Sequence, residues 1–348
     1  MKSHHKRQTA TLKDIAEATG YSINTVSRAL RDKDDISVKT REKIKSTALE
    51  MRHVNNMIAS SLRLGYTNTI AVIISDVSNP YFAITMKEIE VCARQLGYTT
   101  FIINTNEDND SELEAIQASL NKNVDGIILC PAQKSEKNIL YLKETGVPFV
   151  LLGRRYKQIE TDYVVSSDEF GGYQATTYLL DHGHKDILML SGPTYLSSAR
   201  ERQDGYRRAI TERNMKINEE LIREVPVITQ GFDVILERVL NRKVNFTAVF
   251  SYSDIIAWAT WSYLRKKGYT IGKDFSIIGY DYIQSRQTYP FELCTIDPHK
   301  ERMSKMAVEF LFKRINGEQS ENQYFTAIVE TVLVEGETVQ QLRNDSAG

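Results

Sequence analysis

Between residues 22 and 28 the chain carries side chains that can hydrogen-bond to the edges of nucleic-acid bases. The amide of Asn24 can pair bidentately with adenine, the guanidinium of Arg28 with guanine, and Ile23 can contact a thymine methyl group. Two alternatives stay open, because Arg28 could instead pair with a nearby acid and Asn24 could be a solvated surface amide. These residue types indicate a surface that contacts the major groove of DNA.

Three short helices are predicted to position this segment. Thr11 and the carboxylate three residues after it form a capping box, which opens a helix that ends before Gly20. A second helix is predicted over about 23–30, and a third from Ser37 to about Arg52. Two helices joined by a glycine turn and supported by a third form a helix-turn-helix, whose second helix fits the major groove.

The charge of the chain is divided between a basic head and an acidic body. Residues 1–65 carry a formal charge of +6 and the remaining residues carry −7, although the whole chain is close to neutral. A basic head suits a polyanion such as double-stranded DNA, since local charge governs the attraction to phosphates. A solvated helix surface is the alternative that charge alone leaves open.

Length and composition predict a multidomain globular protein. The chain has 348 residues, of which 41% are hydrophobic and 26% charged, so packed cores can form. No apolar run reaches the ~20 residues that cross a bilayer, and the N-terminus lacks an export signal. We therefore expect no membrane association and a cytoplasmic location.

The patterns that would indicate an enzyme, a cofactor or a metal site are missing from the sequence. No strand is followed by a glycine-rich phosphate-binding motif, and no nucleophile motif or paired-carboxylate arrangement is recognisable. Cys92, Cys130 and Cys294 lie far apart, which favours reduced structural thiols. His182 and His184 are interpreted as part of a helix-end turn, because no third metal ligand is nearby. We expect no enzymatic activity and no cofactor.

From Thr69 onward, short apolar runs alternate with longer amphipathic segments. The runs are apolar throughout, as parallel strands covered on both faces require. They start at Ile70, Thr99, Val124 and Pro148 and, in a second series, at Asp186, Thr247 and Asp274. This rhythm predicts an α/β body of two parallel-sheet lobes, with crossovers between the lobes towards the C-terminus.

The head resembles the DNA-binding domain of the lactose-repressor/galactose-repressor (LacI/GalR) family of bacterial transcription regulators. The resemblance is carried by T-L-K-D-I-A-E-A-T-G-Y-S-I-N-T-V-S-R-A-L from Thr11 and by I-S-V-K-T-R-E-K-I from Ile36. It implies that Ile23, Asn24 and Arg28 face base edges. The residues that it implies for the phosphate backbone are Thr11, Leu12, Ser22, Thr25, Ser27, Ser37 and Thr40.

The same resemblance implies a hinge over 55–66 that folds on DNA together with the hinge of a second subunit. Asn56 belongs to the implied DNA-binding set, and Leu62 would insert into the minor groove and bend the duplex. Packing of Leu62 under the body is the open alternative. Asn55 departs from the proline of many relatives, so the hinge helix lacks a pre-set φ angle there.

The body resembles the effector domain of that family, which is similar to periplasmic sugar-binding proteins of the ribose-binding type. The segments that carry this likeness are S-N-P-Y-F from Ser78, V-P-F-V-L-L-G-R from Val147, Y-L-L-D-H-G-H from Tyr178, R-E-R-Q-D-G-Y from Arg200 and I-I-G-Y-D from Ile277. The expected fold class is therefore a small all-α helix-turn-helix head plus an α/β body, whose two parallel-sheet lobes have a periplasmic-binding-protein-like (type I) fold. In such sheets ligands bind beyond the carboxyl ends of the strands.

The effector-binding residues that this likeness implies are Asn79, Tyr81, Phe82, Arg154, Arg202 and Asp281. Aromatic faces suit the C–H surface of a sugar, and charged or amide groups suit its hydroxyls. Two alternatives stay open, since Asn79 could only shape its loop and Tyr81 could only be core. Gly153 stands where ribose-binding relatives carry an acid, and Ser253 stands where Asn is common. These departures disfavour ribose and leave room for a larger glycoside.

The expected domains are a helix-turn-helix domain over 1–54, the hinge over 55–66, and an effector-binding and dimerisation domain over 67–340. The predicted lobe boundaries are about 67–165 plus 296–322 for the N-lobe and about 166–295 plus 323–340 for the C-lobe.

The resemblance implies a homodimeric repressor of carbohydrate-utilisation genes, which binds a pseudo-palindromic operator and is released by a small sugar. A corepressor that tightens DNA binding, either a metabolite or a phosphoprotein, is the alternative of opposite sign. A sugar-binding module of a transporter is disfavoured by the basic head and by the missing export signal.

Overall fold

The computed structural model describes residues 10–53, 65–227, 232–240, 245–286, 291–318 and 323–342. Contacts divide the chain into two compact units, Met1–Thr67 and Asn68–Gly348, which we call the head and the body. The predicted DNA-binding residues Asn56 and Leu62, and most of the predicted hinge, lie outside the described residues.

The head consists of three helices around a small apolar core. They are α1 (Leu12–Thr19), α2 (Ile23–Leu30) and α3 (Val38–Glu50). The predicted capping box is confirmed, because Thr11 accepts from the Asp14 amide while Asp14 accepts from the Thr11 amide. Gly20 ends α1 with a φ of 77°, in the left-handed region that favours glycine. The predicted third helix ends two residues early, at Glu50.

The body contains twelve described strands. They are β1 (Thr69–Ile74), β2 (Thr99–Asn104), β3 (Gly126–Leu129), β4 (Phe149–Leu152), β5 (Asp162–Ser166), β6 (Ile187–Ser191), β7 (Ile222–Glu224), β8 (Ala248–Ser251), β9 (Ser276–Tyr280), β10 (Cys294–Asp297), β11 (Thr326–Val329) and β12 (Val332–Val334). The helices between them are α4 (Pro80–Gln95), α5 (Asn109–Asn121), α6 (Lys137–Glu144), α7 (Asp168–Asp181), α8 (Ser197–Glu212), α9 (Phe232–Leu240), α10 (Asp254–Lys266) and α11 (Lys300–Ile315).

These strands form two six-stranded sheets, one in each lobe. The first has the order β11-β5-β4-β3-β1-β2 and the second the order β12-β10-β9-β8-β6-β7. Every neighbouring pair is parallel except β10 and β12, which are antiparallel. The inner strands are buried over their whole length, since helices cover both faces of each sheet. The predicted two-lobe α/β architecture is confirmed.

The structure corrects the predicted course of the C-terminal third. Residues 323–340 were expected in the C-lobe, but β11 pairs with β5 in the first sheet, with Thr326 opposite Tyr163. The N-lobe was expected to resume at 296, yet Ile296 still pairs with Tyr280 in the second sheet. The chain therefore crosses between the lobes after β5, after β10 and again between β11 and β12.

Three strands were not predicted from the sequence, namely β5, β7 and β10. Each is five residues or shorter and carries polar side chains, so none forms the continuous apolar run that marks the other strands. Within the described ranges, no helix combines the length and the apolar character that crossing a membrane requires.

Candidate functional sites

A cavity between the two lobes, the inner cavity, lies at the carboxyl ends of the parallel strands. The space that it encloses together with its open mouth is about 630 Å³. The six predicted effector-binding residues all line it: Asn79, Tyr81, Phe82, Arg154, Arg202 and Asp281. The structure thus brings together side chains that are up to two hundred residues apart in the sequence.

Arg202 is held rigidly in the wall of the inner cavity. Its Nε donates to Asp168 Oδ1 at 2.8 Å, and its Nη1 donates to the backbone carbonyl of Tyr252. The guanidinium lies over the ring of Tyr280, 3.4 Å from the centroid, and is 6% exposed. This frame fixes the direction of the guanidinium, with Nη1 at 4.0 Å from Asp281 Oδ1. A ligand hydroxyl would meet a preorganised charge.

Asp281 is buried in a strained turn opposite this arginine. Its φ is 111°, and the following residue Tyr282 also has a positive φ. Lys300, at the start of α11, fixes this turn because its Nζ donates to the carbonyls of Asp281 at 2.8 Å and of Tyr282 at 2.9 Å. Burial raises the pKa of Asp281 to about 7, although Arg202 and Lys300 oppose the shift. The carboxyl can therefore change protonation near neutral pH.

Arg154 reaches the inner cavity as half of a buried ion pair. Its Nη1 and Nη2 each donate to one oxygen of Glu107 at 2.7 Å, and Nη1 also donates to the Pro131 carbonyl at 2.9 Å. Burial alone would lower the pKa of Arg154, but the charge of Glu107 outweighs it and raises the pKa well above the usual value. Arg154 and Glu107 thus form one planar polar unit that lines the cavity.

Asn79, Tyr81 and Phe82 begin α4 in the N-lobe. Asn79 Oδ1 accepts from the Tyr81 amide at 2.9 Å, so Asn79 caps the helix as well as lining the cavity. Phe82 is 7% exposed and also belongs to the N-lobe core. A Cβ placed on Gly153 would lie 3.4 Å from the Tyr81 hydroxyl. Tyr81 therefore occupies part of the space that was expected to be vacant beside Gly153.

Sequence reasoning missed several residues that line the inner cavity. They are Asp76, Glu107, Cys130, Leu152, Ser198, Val227 and Tyr252. Glu107 and Tyr252 follow predicted strands closely, which was an available signal. Their hydrogen-bond partners could not be predicted from the sequence, because both partners are distant along the chain. Tyr252 Oη lies 2.9 Å from Ser198 Oγ, 54 positions away, and Glu107 pairs with Arg154, 47 positions away.

The head presents the predicted base-reading residues on α2. Ile23 is 49% exposed and Asn24 is exposed. In the described part of the chain, no hydrogen bond occupies the Asn24 amide. Arg28 forms an ion pair with Asp35, the alternative that the sequence left open. Asp35 thus holds Arg28 at the surface of the head.

Three of the hydroxyls expected to contact phosphates cap the helices of the head. Thr11, Ser22 and Ser37 each accept from the backbone amide three residues ahead, at 3.1–3.3 Å. Thr25 and Thr40 lie within 2.9 Å of the Ser22 and Ser37 hydroxyls, so these polar groups cluster at helix N-termini. Such N-termini attract anions.

The remaining two expected phosphate contacts have other partners in the head. Ser27 Oγ accepts from the Arg31 guanidinium, and Leu12 packs half-buried against the head core. These contacts position both residues at the surface around α1 and α2.

The two histidines near residue 183 belong to a helix end, as predicted. Helix α7 ends at Asp181 and the chain turns at Gly183 with a φ of 88°. His184 is fully buried between Thr247 Oγ1 at 2.9 Å and the Gln340 carbonyl at 3.2 Å. Burial lowers the pKa of His184, which keeps the ring neutral at physiological pH. Among the described residues, no group of three or more metal-ligating side chains occurs.

Comparisons with known proteins match both units. The family model described as "Bacterial regulatory proteins, lacI family" matches residues 11–56, and the model described as "Periplasmic binding proteins and sugar binding domain of LacI family" matches residues 67–329. The HTH-type transcriptional repressor PurR of Vibrio campbellii (strain ATCC BAA-1116) is 30% identical, over 93% of this chain and 97% of the relative.

Two solved structures are similar over nearly the whole chain. The transcriptional regulator CelR–cellobiose complex is 26% identical with a TM-score of 0.72, over 94% of this chain and 99% of that one. The lac repressor dimer bound to operator and the anti-inducer ONPF has a TM-score of 0.83 at 24% identity, over 96% of this chain and 100% of that one. At that identity the second likeness concerns the fold alone.

Proposed function

The chain belongs to the lacI family of bacterial regulatory proteins, and from this premise we propose that it represses transcription until a small carbohydrate releases it from its operator. It is a DNA-binding regulator and not an enzyme. It acts in the cytoplasm, on its operator DNA.

The main observation behind this proposal is that side chains from both lobes line the inner cavity. The N-lobe supplies the aromatic rings of Tyr81 and Phe82, and the C-lobe supplies the fixed guanidinium of Arg202 and the carboxyl of Asp281. Aromatic rings cover the C–H surface of a sugar, and charged groups strengthen the bonds to its hydroxyls. A carbohydrate uses both kinds of group at once.

On DNA, two copies of the chain bind the two halves of a pseudo-palindromic operator as a homodimer. Helix α2 enters the major groove, where Ile23, Asn24 and Arg28 contact base edges. The capping hydroxyls of the head hold the phosphate backbone. Asn56 and Leu62 extend the contact into the minor groove, where the leucine bends the duplex.

The effector acts by changing the relation between the two lobes. A ligand that bonds Arg202 and Asp281 on one side and the Arg154–Glu107 pair on the other favours the arrangement in which the lobes close on it. Residues 55–66 lead directly into β1 of the N-lobe, so a shift of this lobe moves the hinge segments of the dimer. The coupling is a free energy of ~1–3 kcal/mol, and it is reciprocal.

A gel-shift titration with DNA from upstream of the chain's own coding region tests the proposal. We expect sequence-preferring retardation that weakens with salt and that one or more carbohydrates relieve. A carbohydrate that strengthened retardation would assign corepression instead. The absence of sequence-preferring retardation at every salt concentration would contradict the regulator function.

A further inference from the structure

We propose, on the basis of the proposed function, that the effector is an uncharged glycoside of at least two sugar rings, whose second ring rests on Tyr195 outside the inner cavity. The second ring would lie in a second cavity, the outer cavity, which shares lining residues with the inner cavity.

The outer cavity has an empty volume of about 650 Å³ including its mouth. Its walls come from loops at the strand carboxyl ends of both lobes: Asn106, Glu107 and Lys134 from the N-lobe, and Pro193, Tyr195 and Glu224–Val227 from the C-lobe. Glu107 and Val227 line both cavities. The two cavities are therefore neighbours at Glu107 and Val227, where the link between two sugar rings would lie.

Tyr195 supplies the aromatic surface of the outer cavity. It is 40% exposed, so its ring is open to a ligand in a way that the buried Phe82 is not. Burial raises the pKa of Tyr195, and the charge of Glu107, which lines the same cavity, adds to the shift. An open aromatic ring in a cavity that carboxylates also line offers the C–H and hydroxyl contacts that a pyranose requires.

Glu107 is suited to bridge two rings. Each of its oxygens accepts one bond from Arg154, and a carboxylate oxygen can accept more than one bond. The remaining lone pairs can accept hydroxyls from either side of a glycosidic link. The carboxylate of Glu224 is also fixed by a hydrogen bond, because its Oε2 accepts from the Thr194 amide at 3.1 Å.

The charges of the two cavities favour an uncharged ligand. The inner arginines are already neutralised, Arg154 by Glu107 and Arg202 by Asp168. Among the described residues that line the outer cavity, Lys134 is the one cation, against the carboxylates of Glu107 and Glu224. A sugar phosphate would bring negative charge to walls without a surplus of cations, whereas a neutral glycoside meets no such repulsion.

Titration calorimetry on the full chain tests this inference, with glucose, galactose, cellobiose, maltose and lactose as probes. We expect at least one disaccharide to bind about tenfold or more tightly than its own component monosaccharides. Tyr195→Ala should remove that advantage and leave the monosaccharide affinity unchanged. Tyr195→Phe should keep most of it, because the ring is retained. Tyr141→Ala is the matched control, since Tyr141 is similarly exposed and lines neither cavity.

Lys134→Ala provides a second test that does not depend on the tyrosine variant folding, because Lys134 is exposed. It too should lower the affinity for the disaccharide alone. Monosaccharides that bind as tightly as their disaccharides, or outer-cavity variants that weaken both classes equally or neither, would overturn the second subsite. Binding of no carbohydrate at all would instead contradict the proposed sugar effector.

Discussion

Arg28, which we propose to contact a base edge, forms an ion pair with Asp35 in the head. Its ion pair with Asp35 is half-exposed on both sides, so it contributes little to stability, ~0–1 kcal/mol. Breaking the ion pair with Asp35 so that Arg28 can bind a guanine edge therefore costs little free energy. At the scale of single residues, the sequence left two kinds of partner open for Arg28, a base edge or an unspecified nearby acid, and the structure of the head shows that the acid is Asp35.

Replacing Arg28 by Ala should weaken operator binding by ~1–3 kcal/mol and relax preference at one base pair. Asp35→Asn is the matched variant, because it frees Arg28 and removes a negative charge near DNA, so we expect equal or tighter binding. Fluorescence anisotropy with operator variants at each base pair measures both. Unchanged base preference in the Arg28 variant would place the reading surface elsewhere.

The buried carboxyl of Asp281 makes stability depend on pH. Its pKa rises from 3.8 to about 7 on folding because of burial, so the folded state binds this proton more tightly than the unfolded state. The free energy of unfolding should therefore fall as pH rises from about 4 through 7. At 1.36 kcal/mol per pKa unit, the loss from this group is at most roughly 4 kcal/mol.

Urea unfolding of the wild type and of Asp281→Asn at pH 5 and pH 8 isolates this contribution. Asp168 and Asp254 are also buried with raised pKa values, and they remain in both proteins. We expect the wild type to lose more stability than the variant between the two pH values. Parallel losses would show that Asp281 does not titrate in this window.

At the scale of elements, the packing of α7 against α8 positions the arginine side of the cleft. A Cβ on Gly172 would overlap the Arg202 carbonyl, and one on Gly205 would overlap the Glu169 carbonyl. Only glycines allow the two backbones to come this close. Asp168 begins α7 and Arg202 lies on α8, so the close approach sets their 2.8 Å hydrogen bond.

Helix α11 controls the carboxyl side of the cleft through Lys300. The Lys300→Met variant should leave the carbonyls of Asp281 and Tyr282 without their donor and free the strained turn. We expect it to weaken effector binding about tenfold or more while operator binding without effector persists. Lys305→Met, on the same helix but 62% exposed at its side chain, is the control. Equal effector affinity in both variants would remove the positioning role of Lys300.

Elements with a continuous local signal were predictable, and those without it were not. Caps and glycine turns located the three head helices, and unbroken apolar runs located seven strands of the body. The short strand β5 is defined mainly by its neighbours β4 and β11. Likewise, the family likeness named six cleft residues and the position of Glu107 after a predicted strand was a usable signal, but its ion pair with Arg154 is recognisable only once the fold brings the two together.

At the scale of the whole molecule, three crossovers join the lobes and place the inner cavity between them. Contacts across the cleft include a bond from the Ser197 amide to Gln133 Oε1 at 2.8 Å and an ion pair between Arg155 and Glu201 at 3.3 Å. These links restrict the relative motion of the lobes to a few arrangements. A ligand in the cleft then changes the populations of those few arrangements. That restriction allows a small effector to bias the dimer.

The measurement that tests this coupling most directly is calorimetric titration of the effector into the free protein and into the protein saturated with operator. A repressor released by its effector must bind that effector ~5–150-fold more weakly on the operator, and effector must weaken operator binding by the same factor. Identical effector affinities in the two titrations would contradict the coupling of cleft and DNA.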